Sequence, residues 1–486
     1  MYNAYITRLK NLRPHPNADR LQLGDCFGNT VCVSLDYEDN QLGVYFPTDG
    51  QLSFEFAEKN NLLRKKDSSG NNIGGYMDAD KRNVTAIRLR GEKSDGLFLP
   101  LSCLSDFGDI SQLKEGDIVS TFNGHEIACK YIPRTNRRSS NYNSGNKTRK
   151  KKVPIAPLFA EHADTEQLAY NLNAFKVGDE IEITLKMHGT SQRTGYLPML
   201  MPNVYEFNSA IKALICKMII GKKLKNWFGE KFGKVHYEYN YVSGTRRTVL
   251  ENFEGGFYGD NHFRQQHHDK FVGKLMKGET VYYEVVGFTD SGAPIMGNGK
   301  NDKLGKDFVK QYGKKTVFSY GCAPDGLAYK EASYATAVDG SNVDTLQPVS
   351  QSECYVYRMT MTNEDGFVVE YSPDFMRYRC EQIGVKCVPV FEHCFVPNAP
   401  HPEYEEITGF NFTGEFVKKL AERYYDGADP IGKTHVREGV VVRILNRPKF
   451  TAFKHKNFSF KVLEGIIKDT SSAPDMEEAQ EVTGEV

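Results

Sequence analysis

Between Ile127 and Ala160 the chain carries no acidic residue, yet nine lysines and arginines fall there among serines, asparagines and glycines. A stretch of that composition cannot bury enough apolar surface to offset the entropy of ordering it. It therefore divides whatever fold the chain adopts, and residues 131–152 are expected to form a flexible basic linker. A length of 486 residues also exceeds what one hydrophobic core organises. The expected division is a domain over 1–130, the linker, a second domain over 153–465, and an acidic tail over 466–486 that includes Glu477, Glu478 and Glu481. The linker reads either as an arm whose phosphate contacts give salt-dependent, sequence-independent affinity or as a solvated tether.

Ahead of the linker, short alternating segments are broken by turn residues: Val31 to Leu35, Gly43 to Phe46, Thr85 to Leu89 and Gly96 to Leu101. That pattern predicts a small β-barrel. Behind the linker, strands and helices mix in irregular order without a repeat. In the basic stretch from Lys212 to Lys234, the apolar residues Ile211, Leu214, Ile215, Met218 and Ile219 recur at helical spacing, with the single tryptophan, Trp227, near its end. The stripe is expected to face a core, with its lysines free to face a nucleic-acid backbone.

Charge balance narrows little. The 62 basic and 62 acidic residues cancel, so a nucleic-acid site must be a local patch. No apolar run approaches the roughly 18 residues that span a bilayer, and the N-terminus lacks the apolar core of a signal peptide. A cytoplasmic protein with no membrane partner is the expectation. Ten cysteines include no CxxC pair, and the seven-residue spacing of Cys380, Cys387 and Cys394 does not suit zinc, so reduced structural thiols are expected.

The chemistry-bearing segments come in a series. Glu180 to Leu185 alternates as a strand and delivers Lys186 to the turn Met187-His188-Gly189, where a glycine lets backbone approach a phosphate. Val281 to Gly287 places one carboxylate, Glu284, in an otherwise apolar strand, a costly arrangement unless it meets a ligand hydroxyl or a cation. Tyr355 to Met359 is an aromatic strand in which Tyr357 offers a face for a purine. Arg437 to Arg443 repeats the theme, with Glu438 at the head of an apolar strand. In Phe453-Lys454-His455-Lys456 the two ammonium groups alternate onto one face. A GxxxxGK[ST] phosphate loop is not a competitor, since in the nearest candidate, Gly292 to Lys300, Asn298 follows Gly297.

Taken in order, these segments resemble motifs I, III, IIIa, IV and V of the covalent nucleotidyltransferases, the superfamily of polynucleotide ligases and RNA capping enzymes. The resemblance runs from Lys186 to Lys456, and Thr190 and Ser191 after the glycine, with His188 before it, look like RNA ligases rather than DNA ligases. Ser243-Gly244-Thr245-Arg246 resembles an RNA-ligase element whose arginine contacts the nucleic-acid end or phosphate, and Arg247 beside it is an equal candidate. Two departures stand out: Tyr357 replaces the phenylalanine usual in relatives, and Arg358 stands where an aspartate is common. The segments HPNADRLQ, GVYFPTDGQL and IRLRGEKSDGLFLPL resemble the N-terminal OB domain of one RNA-ligase branch. Only thirty residues follow Lys456, which leaves no room for the C-terminal OB domain of DNA ligases and capping enzymes.

The resemblance thus implies an α+β fold: an N-terminal OB-type β-barrel followed by a nucleotidyltransferase domain of antiparallel sheets with flanking helices. It implies an ATP-dependent RNA ligase that joins 3′-hydroxyl to 5′-phosphate ends, with RNA ends or nicked duplexes as partners and no protein partner. Lys186 would be the nucleophile, Glu284 the acceptor of a ribose hydroxyl and Tyr357 the adenine platform. Glu438 would bind Mg²⁺, with Mn²⁺ able to substitute, while Lys454 and Lys456 hold the α-phosphate. A free lysine, with a pKa of about 10.4, is almost wholly protonated at neutral pH, and burial beside positive charge is the expected means of activating it. The alternatives are an RNA guanylyltransferase and a non-catalytic RNA-binding protein.

Overall fold

The computed structural model describes residues 2–66, 72–131, 154–250, 252–254, 262–287, 289–290, 295, 352–398, 414–427, 429–431 and 437–462. The basic linker beyond Tyr131, the acidic tail and the Gly297-Asn298 pair lie outside them.

The expected N-terminal segments fall on the strands Asn29–Ser34, Leu42–Phe46, Ala86–Leu89 and Leu97–Pro100. They pair as several small antiparallel sheets rather than as the single closed barrel that the spacing predicts. One sheet joins Tyr5–Arg8, Leu42–Phe46 and Leu97–Pro100, another Lys10–Pro14, Leu21–Cys26 and Asn29–Ser34, and a third Ala128–Lys130, Gly50–Leu52 and Asn83–Val84. Strands of two to six residues make few ladder bonds each, and no sheet closes on itself among the described residues. Burial does the joining: Ile6, Val44, Phe46, Phe56 and Leu104 fill one core, while Leu9, Val31, Tyr45 and Phe98 fill a second.

Behind the linker two larger sheets carry the expected series. A five-stranded sheet runs in the order Glu166–Gln167, Thr451–Lys456, Gly439–Ile444, Glu180–Leu185, Val390–Phe395. A seven-stranded sheet is built on Lys234–Gly244, Thr190–Glu206, Glu279–Gly287 and Ser352–Thr362, with three short edge strands. All pairings among those four long strands are antiparallel. Ile181, Ile183, Val440 and Val442 bury the first sheet against the helix Gly414–Glu422, and Val281, Tyr283, Cys354 and Val356 bury the second against the helix Pro373–Ile383. That latter helix starts on Ser372, whose side chain accepts from the amide of Phe375, has proline at its head, and ends on Gly384 in the left-handed conformation. It holds Arg379 against Glu279, a fully buried carboxylate that also accepts from Tyr371 and from the amide of Met276.

The two parts touch through specific contacts. Asp95 Oδ2 lies 2.7 Å from Lys461 Nζ, and Tyr170 packs its ring on Tyr5, Phe27 and Tyr45.

The apolar stripe is not core. The helix Ala210–Met218 and its neighbour Lys222–Phe232 leave Ile211, Leu214, Ile215 and Met218 exposed. The reason lies in the strand that leads to them. Arg193 to Gly195 pair on both sides, but past Gly195 the strand Thr190–Glu206 pairs only with Lys234–Gly244. A two-stranded ribbon therefore projects beyond the sheet, and the helices sit at its tip with little around them to cover the stripe. No helix among the described residues is long and apolar enough to cross a membrane.

Candidate active site

Lys186 is the first residue past the strand Glu180–Leu185, and the next three residues carry the chain from the five-stranded sheet to the seven-stranded one, which begins at Thr190. The lysine and the glycine of the segment therefore face different sheets. Lys186 is fastened by its own amide, which donates to the carbonyl of Gly439 (3.0 Å). Gly439 has φ +146°, and a Cβ there would stand 2.1 Å from the carbonyl of His455, so only glycine lets Glu438 enter its strand at this angle.

Antiparallel register sets Gly439 opposite Lys456 and Val441 opposite Lys454, so both lysines lie on the strand beside Glu438. Glu438 is buried, and its Oε1 meets Lys186 Nζ at 2.6 Å and Lys456 Nζ at 3.4 Å, while Oε2 lies 3.4 Å from His188 Nδ1. Burial by itself pushes this carboxyl up, but Lys186, then Lys456 and His188, outweigh it and hold it at about 2. Lys454 is driven the other way: burial, then the charges of Lys456 and Lys186, push its ammonium down to about 8. His455 alternates to the opposite face, where it stacks on Tyr425 at 4.9 Å.

The seven-stranded sheet brings up the other half. Ser191 pairs across from Glu284, and Glu284 from Tyr355. The register of that ladder shifts between Tyr282 and Tyr283, opposite Tyr357, whose hydroxyl shares a hydrogen bond of 2.9 Å with that of Ser191. Gly189 runs against the Glu284 strand so closely that a Cβ would lie 2.3 Å from the carbonyl of Val285 and 3.0 Å from Glu284 Cγ. Gly189→Ala is accordingly expected to push the turn off the sheet, at a cost of about 1–3 kcal/mol in thermal unfolding together with loss of the site's activity. A variant with unchanged melting and activity would show that the turn has slack.

Arg358, one of the two residues that depart from the motif the strand resembles, is buried on the other face of its strand, paired with Glu370 and lying over the ring of Tyr282. Arg246 lies in the turn after Lys234–Gly244, where it and Arg247 both grip Asp164, at 2.5 and 2.8 Å.

Three residues here carry no sequence signal. The half-buried ring of His162 meets Tyr357 edge-on at 5.1 Å, and its amide donates to the carbonyl of Arg246. Burial, then Arg246 and Arg358, lower His162 to about 3, so its imidazole is neutral. Asp164 holds the two arginines. Arg264 is buried on the helix His262–Asp269 and donates to the Ser191 carbonyl (3.1 Å) and the Thr190 hydroxyl (2.6 Å), fixing the segment just after Gly189.

No protein-family model and no curated protein sequence matches the chain. Among solved structures it is similar to an RNA ligase of Naegleria gruberi. A variant of that protein with ATP and Mn has 14% identity and a TM-score of 0.49, with 94% of this chain and 98% of that chain covered. The same protein with pyrophosphate has 15% identity and a TM-score of 0.48, with 96% and 98% covered.

Proposed function

We propose that this chain is an ATP-dependent RNA ligase that carries AMP on Lys186. The observation that supports the reading most is the cluster of Lys186 and Lys456 around the buried Glu438, with Lys454 on the same strand as Lys456, at the crossing between the two large sheets. A carboxylate and three amines there offer a nucleophile, countercharge for phosphate and a place for a cation. Glu284 and Tyr357, on the facing sheet, then take the ribose and the adenine.

The donor set fits a divalent ion that arrives with ATP. One carboxylate, Glu438, stands in the cluster, and Mg²⁺ binds through one or two carboxylates with phosphate oxygens and waters completing its shell. Such an ion, Mg²⁺ or Mn²⁺, supplies charge compensation at the phosphates, and Glu438 would hold it directly or through water. Lys186, relieved of its bond to Glu438, gives up a proton to water, and its amine attacks the α-phosphorus, forming the N–P bond as the Pα–O bond to pyrophosphate breaks. Lys454 and Lys456 stabilise the charge on the α-phosphate oxygens. AMP then passes from Lys186 to an RNA 5′-phosphate, and a 3′-hydroxyl displaces it to close the phosphodiester bond. Arg246 is the candidate contact to the RNA phosphate. The N-terminal residues 1–130 serve as an OB-type module that grips the RNA, residues 131–152 link it to the catalytic domain over 153–465, and 466–486 form a tail.

The test is incubation with Mg²⁺ and ATP or GTP labelled at the α-phosphate, followed by denaturing electrophoresis and hydroxylamine treatment. A hydroxylamine-sensitive label from ATP is expected. No transfer from either nucleotide would sink the enzyme reading, and preferential GMP transfer would move it to a capping-type guanylyltransferase. Nicked duplexes with RNA or DNA on the 3′-hydroxyl side test the acceptor, and equal sealing of an all-DNA nick would refute RNA specificity.

A further inference from the structure

The helical pair at the ribbon tip is amphipathic in an inverted sense. At ~100° per residue, Ile211, Leu214, Ile215 and Met218 fall within one narrow arc of the helix Ala210–Met218. That arc is the exposed one: Ile211 is 70%, Leu214 60% and Met218 71% exposed, whereas Cys216 on the opposite side is buried. Lys212 and Lys217 flank the arc at roughly equal angles on its two sides. Ile220, in the turn between the helices, is 96% exposed. The second helix adds Leu224 and Trp227 to the outer surface, with Lys231 Nζ 5.0 Å from the Trp227 ring centroid. Between Phe207 and Lys234 there are seven lysines and one acid, Glu230.

We propose that this helical pair lies in the plane of an anionic lipid surface, its aliphatic arc inserted among the acyl chains and its flanking lysines on the headgroups. An apolar face rimmed on both sides by lysines, with an isoleucine at the turn and a tryptophan beside it, is the composition that such an interface selects. Charge decides against a second copy of this chain, because two such faces would bring Lys212, Lys217 and Lys231 against their copies, with Glu230 the one acid near them. Chemistry decides against RNA: the most exposed residues, Ile220, Met218 and Ile211, neither hydrogen-bond nor stack on a base. The site lies at the far end of the strand Thr190–Glu206, roughly 40–50 Å of chain beyond Ser191, so docking there leaves Lys186 open to solvent.

Trp227 is the chain's only tryptophan, so its emission reports on this pair alone. The full-length protein is mixed with phosphatidylcholine vesicles and with vesicles containing about one third phosphatidylglycerol, and both co-sedimentation and Trp227 emission are recorded. The expected result is co-sedimentation and a blue shift with the anionic vesicles, weakened at least about tenfold by high salt. The double variant Met218→Asp/Ile220→Asp should lose binding at least about tenfold while keeping the melting temperature and Lys186 labelling of the wild type. No binding to anionic vesicles, or full binding by the double variant, would overturn the proposal. A blue shift produced by RNA without lipid, or self-association that the double variant abolishes, would give the face to those occupants and overturn it as well.

Discussion

Lys186→Ala is expected to abolish AMP transfer, by at least ~10³-fold, because the proposed phosphoramidate forms on Lys186, which meets Glu438 at 2.6 Å, while Lys454 and Lys456 hold the phosphate. Lys186→Arg restores the positive charge but not a deprotonable amine, so it should stay inactive while recovering stability. The two variants thereby separate nucleophile from countercharge. Label transfer in Lys186→Ala at even a tenth of the wild-type rate would move the nucleophile elsewhere. The alanine variant carries an acid-side signature too. In the wild type, Glu438 is held at about 2, below its ordinary 4.5, so it contributes stability that is present above the unfolded value and lost as pH falls through about 2. Without Lys186, the largest of the charges that lower it, the folded value rises and that stability is lost at higher pH. Melting temperatures recorded from pH 2 to 6 should diverge between wild type and Lys186→Ala above the unfolded value and converge at the acid end.

The second large effect is on folding. Arg379→Ala is expected to destabilise the protein by about 3–5 kcal/mol, since it strands the fully buried carboxylate of Glu279. The paired change Glu279→Leu/Arg379→Met, which removes both charges, should cost less than the single one. Chemical denaturation measures both, and a single variant within 1 kcal/mol of wild type would mean that Glu279 takes up a proton or finds water in its place.

Legibility differed by level. Two of the strands that carry the site were readable because they obey the two-residue period: Glu180–Leu185 begins and ends where its alternation does, and Lys454 and Lys456 share a face while His455 turns away. Glu438 was readable as an acid at the head of an apolar run, but not that it would bond to the lysine far upstream, since pairing between strands distant in sequence leaves no mark on either one. Arg358 shows the converse. Its departure from the motif that the strand resembles looks like damage at the site until the structure places it on the other face, paired with Glu370.

The sequence by itself determined local conformation and residue chemistry: which segments are strands, which turn needs a glycine, and which amines and carboxylates sit at strand ends. Tertiary structure alone decided their company. Glycine is required at 439 because the backbone of His455 leaves no room for a Cβ, and His162, Asp164 and Arg264 joined the site from segments without periodicity or motif. The apolar stripe from Ile211 to Met218 is the clearest case. Helical spacing marked it as amphipathic, but spacing records only that a face is apolar. Whether that face is covered depends on neighbours, and a ribbon that outruns its sheet past Gly195 has none to offer.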